Sequence, residues 1–108
     1  MIREGSKNSG GGATDVKQRE DFEMLERRIS VLFAAVSDGL PLEVRRDVTE
    51  FLDAHVYYLA LDLLCYGLVD VGATIDEAQF AEIDDLATRM GERESIVTDA
   101  LRARIALG

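Results

Sequence analysis

The amino-acid sequence predicts an all-α protein, a small bundle of four or five short helices with no sheet. Three observations lead there. Apolar residues recur at three- and four-residue steps in several separate blocks, the period of a helix that buries one face. No stretch shows the sustained two-residue alternation of a half-buried strand. There is one proline, Pro41, and β-branched runs are few, a composition that favours helix.

Residues 1–14 read as a flexible tail. Gly5, Ser6, Asn8, Ser9 and Gly10, Gly11 and Gly12 disfavour a fixed backbone and offer nothing to bury, whether the segment is a lead or upstream sequence. The first helix is expected from Asp15, which with Gln18 has the spacing of a capping pair. Phe22, Leu25, Ile29, Leu32, Phe33 and Val36 form its apolar stripe, and Ser37, Asp38 and Gly39 end it. Pro41 suits the first turn of the next helix, where its missing N–H matters least. Val44, Val48, Phe51 and Leu52 face inward there. Nothing between Glu43 and Tyr66 forces a break, yet the apolar stripe widens, which predicts a bend or short interruption near Ala54–His55. Gly67 and Gly72 bracket the end of this segment. Thr74 and Glu77 have capping-box spacing ahead of Phe80, Ile83, Leu86, Ala87 and Met90, and Gly91 is placed to stop that helix in the left-handed conformation. A last helix is expected from Arg93 to Ala106, with Ile96, Val97, Ala100, Leu101 and Ile105 inward. Residues 15–108 thus read as one helical domain, long enough to hold its own core.

Charge narrows the function classes. Twelve basic residues stand against 21 acidic ones, a formal net charge of -9. From Asp47 to Ala87 there is no Lys or Arg, while Asp47, Glu50, Asp53, Asp62, Asp70, Asp76, Glu77, Glu82, Asp84 and Asp85 all fall in that span. Such a field repels nucleic acid and anionic membrane and draws in basic partners. An acidic excess also serves solubility alone. No apolar run approaches the ~20 residues of a membrane helix. The N-terminal residues lack the apolar stretch of a signal peptide. The lone cysteine, Cys65, has no internal partner, so the chain is expected in a reducing cytoplasm.

The stretch AHVYYLALDLLCYGLVD, Ala54 to Asp70, holds the only histidine, the only cysteine and all the tyrosines. On a helical wheel Phe51, His55, Tyr58, Asp62, Tyr66 and Val69 share one side, with Cys65 at its edge and Leu61, Leu64 and Tyr57 on the flank. Leu52, Val56, Leu59, Ala60 and Leu63 form a broad sector opposite, so the helix is expected at the centre of the bundle with a narrow strip near solvent. His55, Asp62 and Cys65 are the elements of an activated thiol, but His55 and Cys65 lie about three turns or ~15 Å apart on a helix, and a nucleophile and its base need ~3 Å. No catalytic residue is assigned and no enzyme activity is expected. One histidine and one cysteine leave no second soft ligand, and neighbouring acids such as Asp76 and Glu77 or Asp84 and Asp85 diverge by about 100° on a helix, so no metal or cofactor site is expected.

Tyr58, Asp62 and Tyr66 stack at i, i+4 and i+8. They form either a half-buried aromatic ridge with satisfied hydroxyls or a ridge that binds a partner, since tyrosine brings large contact area at low entropy cost. The acids Glu77, Glu82, Asp84 and Asp85 lie opposite the next helix's apolar stripe. Taken as unpaired, they repel one another and favour the binding reading. The candidate partner-binding residues are Asp53, His55, Tyr57, Tyr58, Asp62, Tyr66, Glu77, Asp84 and Asp85.

From Phe51 to Gly91 the sequence resembles the MafI-type immunity proteins of bacteria. The resemblance runs through Tyr57, Leu59-Ala60-Leu61-Asp62, Leu64-Cys65, Leu68, Ile75, Phe80, Ile83, Leu86 and Met90-Gly91, and a Leu25-Glu26-x-x-Ile29 pattern upstream also fits. It implies a small, mostly helical cytoplasmic protein that protects its cell from a polymorphic toxin encoded beside it, and it marks Tyr57 and Asp62 as important for fold or binding. Asp53 followed by Tyr57 and Tyr58 is similar in chemistry to the immunity proteins of nuclease colicins, acidic bundles that present tyrosines among carboxylates. The expectation is a free monomer that binds one cognate toxin, a basic domain such as a nuclease. The alternative is a helical regulatory or oligomerisation module whose tyrosine ridge packs against its own copy.

Overall fold

The computed structural model describes the backbone of residues 3–106 and the side chains of residues 19–106. Within these the protein is all-α. The helices are α1 (Arg3–Val36), α2 (Leu42–Asp53), α3 (Tyr57–Val71), α4 (Glu77–Arg89), α5 (Arg93–Ile96) and α6 (Asp99–Arg102), with one 3-10 turn at Ser37–Gly39. The assigned start of α1 precedes the Asp15 expected from the capping pair. The side chains on which the expected flexible lead turns lie outside those described.

α3 is the centre of the bundle, packed against every other helix. Ala60, Leu61, Leu64 and Leu68 are fully or almost fully buried there, and Leu25, Ile29 and Leu32 of α1, Val48 and Leu52 of α2, and Ile83 and Leu86 of α4 close around them. α2 reaches α3 closely because Gly67 stands in the contact. A Cβ on Gly67 would come within 3.0 Å of Val44 Cγ1 and 3.1 Å of Leu40 Cδ2. Gly67 is therefore a packing residue inside α3, and Gly72 alone ends the helix.

Three helix ends share one hydrogen-bond pattern. The N–H of Val56 donates to Phe51 O and that of His55 to Leu52 O; Ala73 and Gly72 repeat this on Leu68 and Val69, and Glu92 and Gly91 on Ala87 and Thr88. This is the Schellman arrangement, whose penultimate residue takes the left-handed conformation. Gly72 (φ 70°) and Gly91 (φ 74°) fill it without strain, and His55 (φ 63°) fills it at the α2–α3 junction. The interruption expected near Ala54–His55 is this turn.

Two expectations are corrected. The box that starts α4 is Asp76 with Gln79, and not Thr74 with Glu77: Asp76 Oδ1 accepts from Gln79 N at 2.6 Å and Gln79 Oε1 accepts from Asp76 N at 3.0 Å. Aspartate is a strong N-cap, and it sits directly against the first helical residue. The single last helix is instead two single turns, α5 and α6, separated at Val97 and Thr98. Thr98 caps α6 by accepting from Leu101 N at 3.2 Å, while Val97 is drawn into the core. Ala100, expected inward, is exposed. The chain then returns to α3's far end, where Ile75 N donates to Arg104 O and Ala106 N donates to Ile75 O, a lone bridge and no sheet.

Candidate functional site

α3 presents its one polar strip to solvent. Tyr58 is 37% and Tyr66 65% exposed, with Asp62 half-buried between them. Beside Tyr66 lies a groove of about 430 Å³ between α3 and the α5–α6 segment. Phe51, Leu59, Leu63, Val69 and Ile96 wall it, Ser95 and Thr98 add hydroxyls, and Asp62 is its only charged residue among the described residues. Beside Tyr58 a second hollow of about 440 Å³ faces α1 and is lined by Phe22, Leu25, His55, Val56, Tyr57 and Met90, with Asp21 and Arg89. Tyr58 thus belongs to one concavity and Tyr66 to the other. The groove draws residues from α5 and α6 that the wheel analysis of α3 did not reach. Their sole sequence signal is that Leu59 and Leu63 widen the apolar sector of α3 beyond what its core neighbours cover.

Tyr57 does not share this strip. It is 6% exposed, its ring 6.1 Å from that of Phe22, and its hydroxyl donates to Glu26 Oε1 at 3.0 Å. That hydroxyl has one proton, so His55 Nδ1, 2.9 Å away, donates to the Tyr57 oxygen. Burial, then the Glu26 carboxylate, push the Tyr57 phenol up to about 12. Glu26, Tyr57 and His55 thereby tie α1 to the α2–α3 junction, and the imidazole remains mostly exposed.

The acids of α4 are corrected more sharply. Arg28 on α1 donates from Nε to Glu82 Oε2 at 2.8 Å and from Nη2 to Glu82 Oε1 at 2.6 Å and Asp85 Oδ2 at 2.9 Å. Arg89 Nε donates to Asp85 Oδ2 at 2.8 Å, an i,i+4 pair. Arg93 Nε donates to Asp84 Oδ1 at 2.6 Å. The hydrogen bonds from Arg28, Arg93 and Arg89 hold Glu82, Asp84 and Asp85 respectively below the usual carboxylate range. These acids are internal staples of α4 to α1 and α5. Glu77 stays exposed in the first turn of α4, where the helix dipole favours it. Asp53 is exposed at the end of α2. Among the described residues, neither Asp53, Asp62 nor Glu77 enters an ion pair.

Cys65 is a core residue, 3% exposed. Burial, with the Asp62 charge behind it, pushes its thiol up to about 12, so it is protonated at neutral pH. Among the described residues no group of three or more His, Cys, Asp or Glu converges as a metal site would, and no helix is long and apolar enough to cross a membrane. Comparison of the chain with protein-family models, curated proteins and solved structures returns no match.

Proposed function

We propose that this protein is an immunity protein, which binds a basic toxin domain through the α3 flank and neutralises it by stoichiometric occlusion in the cytoplasm. The observation that carries the reading is the exposure of Tyr66 and Tyr58 on the helix that otherwise forms the core. A central helix has every energetic reason to bury its aromatics. Here two of them stand in solvent beside concave, largely apolar surface. Unpaired carboxylates on the same helix and on α2 suit a cationic partner. Charge alone would give a fast but weak complex, since salt screens exposed pairs beyond ~8–10 Å. The tyrosines and the groove supply the slow dissociation.

This role requires a toxin domain encoded beside the protein's gene, and co-expression with the product of that neighbouring gene tests it. The chain should restore growth as a one-to-one complex, and Tyr66→Ala should raise the dissociation rate about tenfold or more while the fold is retained. No protection, with the chain folded and expressed, would overturn the proposal. A stable homodimer that buries Tyr66, seen by light scattering, would instead favour an oligomerisation module.

A further inference from the structure

We propose that the groove between α3 and the α5–α6 segment receives one lysine or arginine side chain carried on an apolar segment of the partner polypeptide. The inference rests on the reading of the α3 flank as a partner surface and names what enters it. Its ground is the lining: several apolar walls, the hydroxyl-bearing Tyr66, Ser95 and Thr98, and one carboxylate, Asp62, with no base among the described residues. Asp62 takes part in no ion pair among the described residues. An all-apolar occupant would strip water from that carboxylate and return no hydrogen bond, and an acidic occupant would add repulsion. A cationic head meets Asp62 with a charge-assisted hydrogen bond, while its methylene stem lies along Leu59 and Leu63. A guanidinium also stacks on the exposed Tyr66 ring. The volume, about 430 Å³, is that of a site for a small molecule and more than one side chain fills, so apolar neighbours of the basic residue enter with it. Asp62 therefore acts as a selector: it weakens every occupant that lacks a positive charge.

The distinction to be drawn is between this groove and the general attraction of an acidic protein for basic peptides. A random heptapeptide display library is selected at near-physiological salt on the full chain, on Asp62→Asn and on a variant of the exposed Glu43, Glu43→Gln, which carry the same change in net charge. Wild type and Glu43→Gln should enrich sequences that place Lys or Arg beside apolar residues, and Asp62→Asn should lose the basic preference and keep the apolar one. Nuclear magnetic resonance should show the selected peptide shifting the amides of Asp62, Tyr66, Ser95 and Ile96. Replacing its basic residue by Gln should weaken binding to wild type about fivefold or more and to Asp62→Asn hardly at all. Equal loss of preference in both variants, or an unchanged preference in Asp62→Asn, would overturn the proposal. The selection uses no toxin, so a groove that behaves as described while growth protection fails leaves the site standing and removes only the immunity reading.

Discussion

His55 occupies a backbone position that two other helix ends in this protein give to glycine. The left-handed conformation costs a residue with a Cβ about 1–2 kcal/mol, least for Asn, Asp and His and most for β-branched side chains. His55→Asn should therefore fold with stability close to wild type, and His55→Val should lose about 1–2 kcal/mol in denaturant melts. Equal stability of the two would mean that the turn is not held left-handed. The partner of His55, Tyr57, makes a second prediction. Its phenol titrates near 12 in the fold, above the ordinary value of 10. A raised folded value contributes stability that is complete below pH 10 and is lost as pH rises through about 12. Wild type should weaken over that window, and Tyr57→Phe, lacking the titrating group, should show a flatter alkaline limb. Both residues were marked from sequence as partner contacts. The wheel separates Tyr57, on the flank with Leu61 and Leu64, from Tyr58 on the strip, and the burial of the one and exposure of the other follow that division; the φ of His55, which sets how α3 follows α2, was not legible.

At the scale of elements, the helices legible in the sequence are those whose apolar stripes are long: Leu25 to Leu32, Phe51 and Leu52 into α3, and Ile83 to Ala87. Gly91 was legible too, because termination by a left-handed glycine is local chemistry, and the Ala54–His55 junction was legible from the widening of the apolar stripe. The split of the last helix was not, since Val97 leaves the helical path to fill a core made by distant residues. Nor was the Arg28 staple, whose partner Glu82 is 54 residues away. The pair of Arg89 with Asp85 lay within reach of i,i+4 counting and changes the reading of that face. The staple can be tested directly. Arg28→Met should lower stability by about 1 kcal/mol at low salt, less after 1 M salt is added, because the guanidinium is only partly screened from water. The acid limb gives an independent check. Glu82 is held low by Arg28, so its contribution is present above the unfolded carboxylate range and lost as pH falls through its lowered folded value. Arg28→Met should flatten that loss. A variant as salt- and acid-sensitive as wild type would show that the pair contributes nothing to the docking of α4.

For the whole molecule, the ion pairs redistribute what looked like a uniform acidic field. With Glu82, Asp84 and Asp85 neutralised by arginines from before and after the base-free span, the acids of that span left without such a partner among the described residues are Asp47, Glu50, Asp53, Asp62, Asp70, Asp76 and Glu77. Of these Asp47, Glu50 and Asp53 stand exposed on α2, the helix packed most extensively on α3 and the source of Phe51 in the groove. Long-range attraction depends on net charge near the docking surface, whereas a carboxylate already paired with arginine presents little field at a distance. The two sets of acids should therefore behave differently toward a basic toxin domain. Replacing Asp47, Glu50 and Asp53 together by their amides should lower the association rate roughly tenfold at low salt, flatten its salt dependence and leave dissociation nearly unchanged. Asp84→Asn should do the reverse of what its sequence position suggests: an association rate near wild type, and a protein easier to unfold because Arg93 has lost its partner. Stopped-flow association across a salt series, read beside denaturant melts of the same variants, separates the two effects. An association rate that follows Asp84 and ignores α2 would place the steering surface on α4 and detach it from the tyrosine flank.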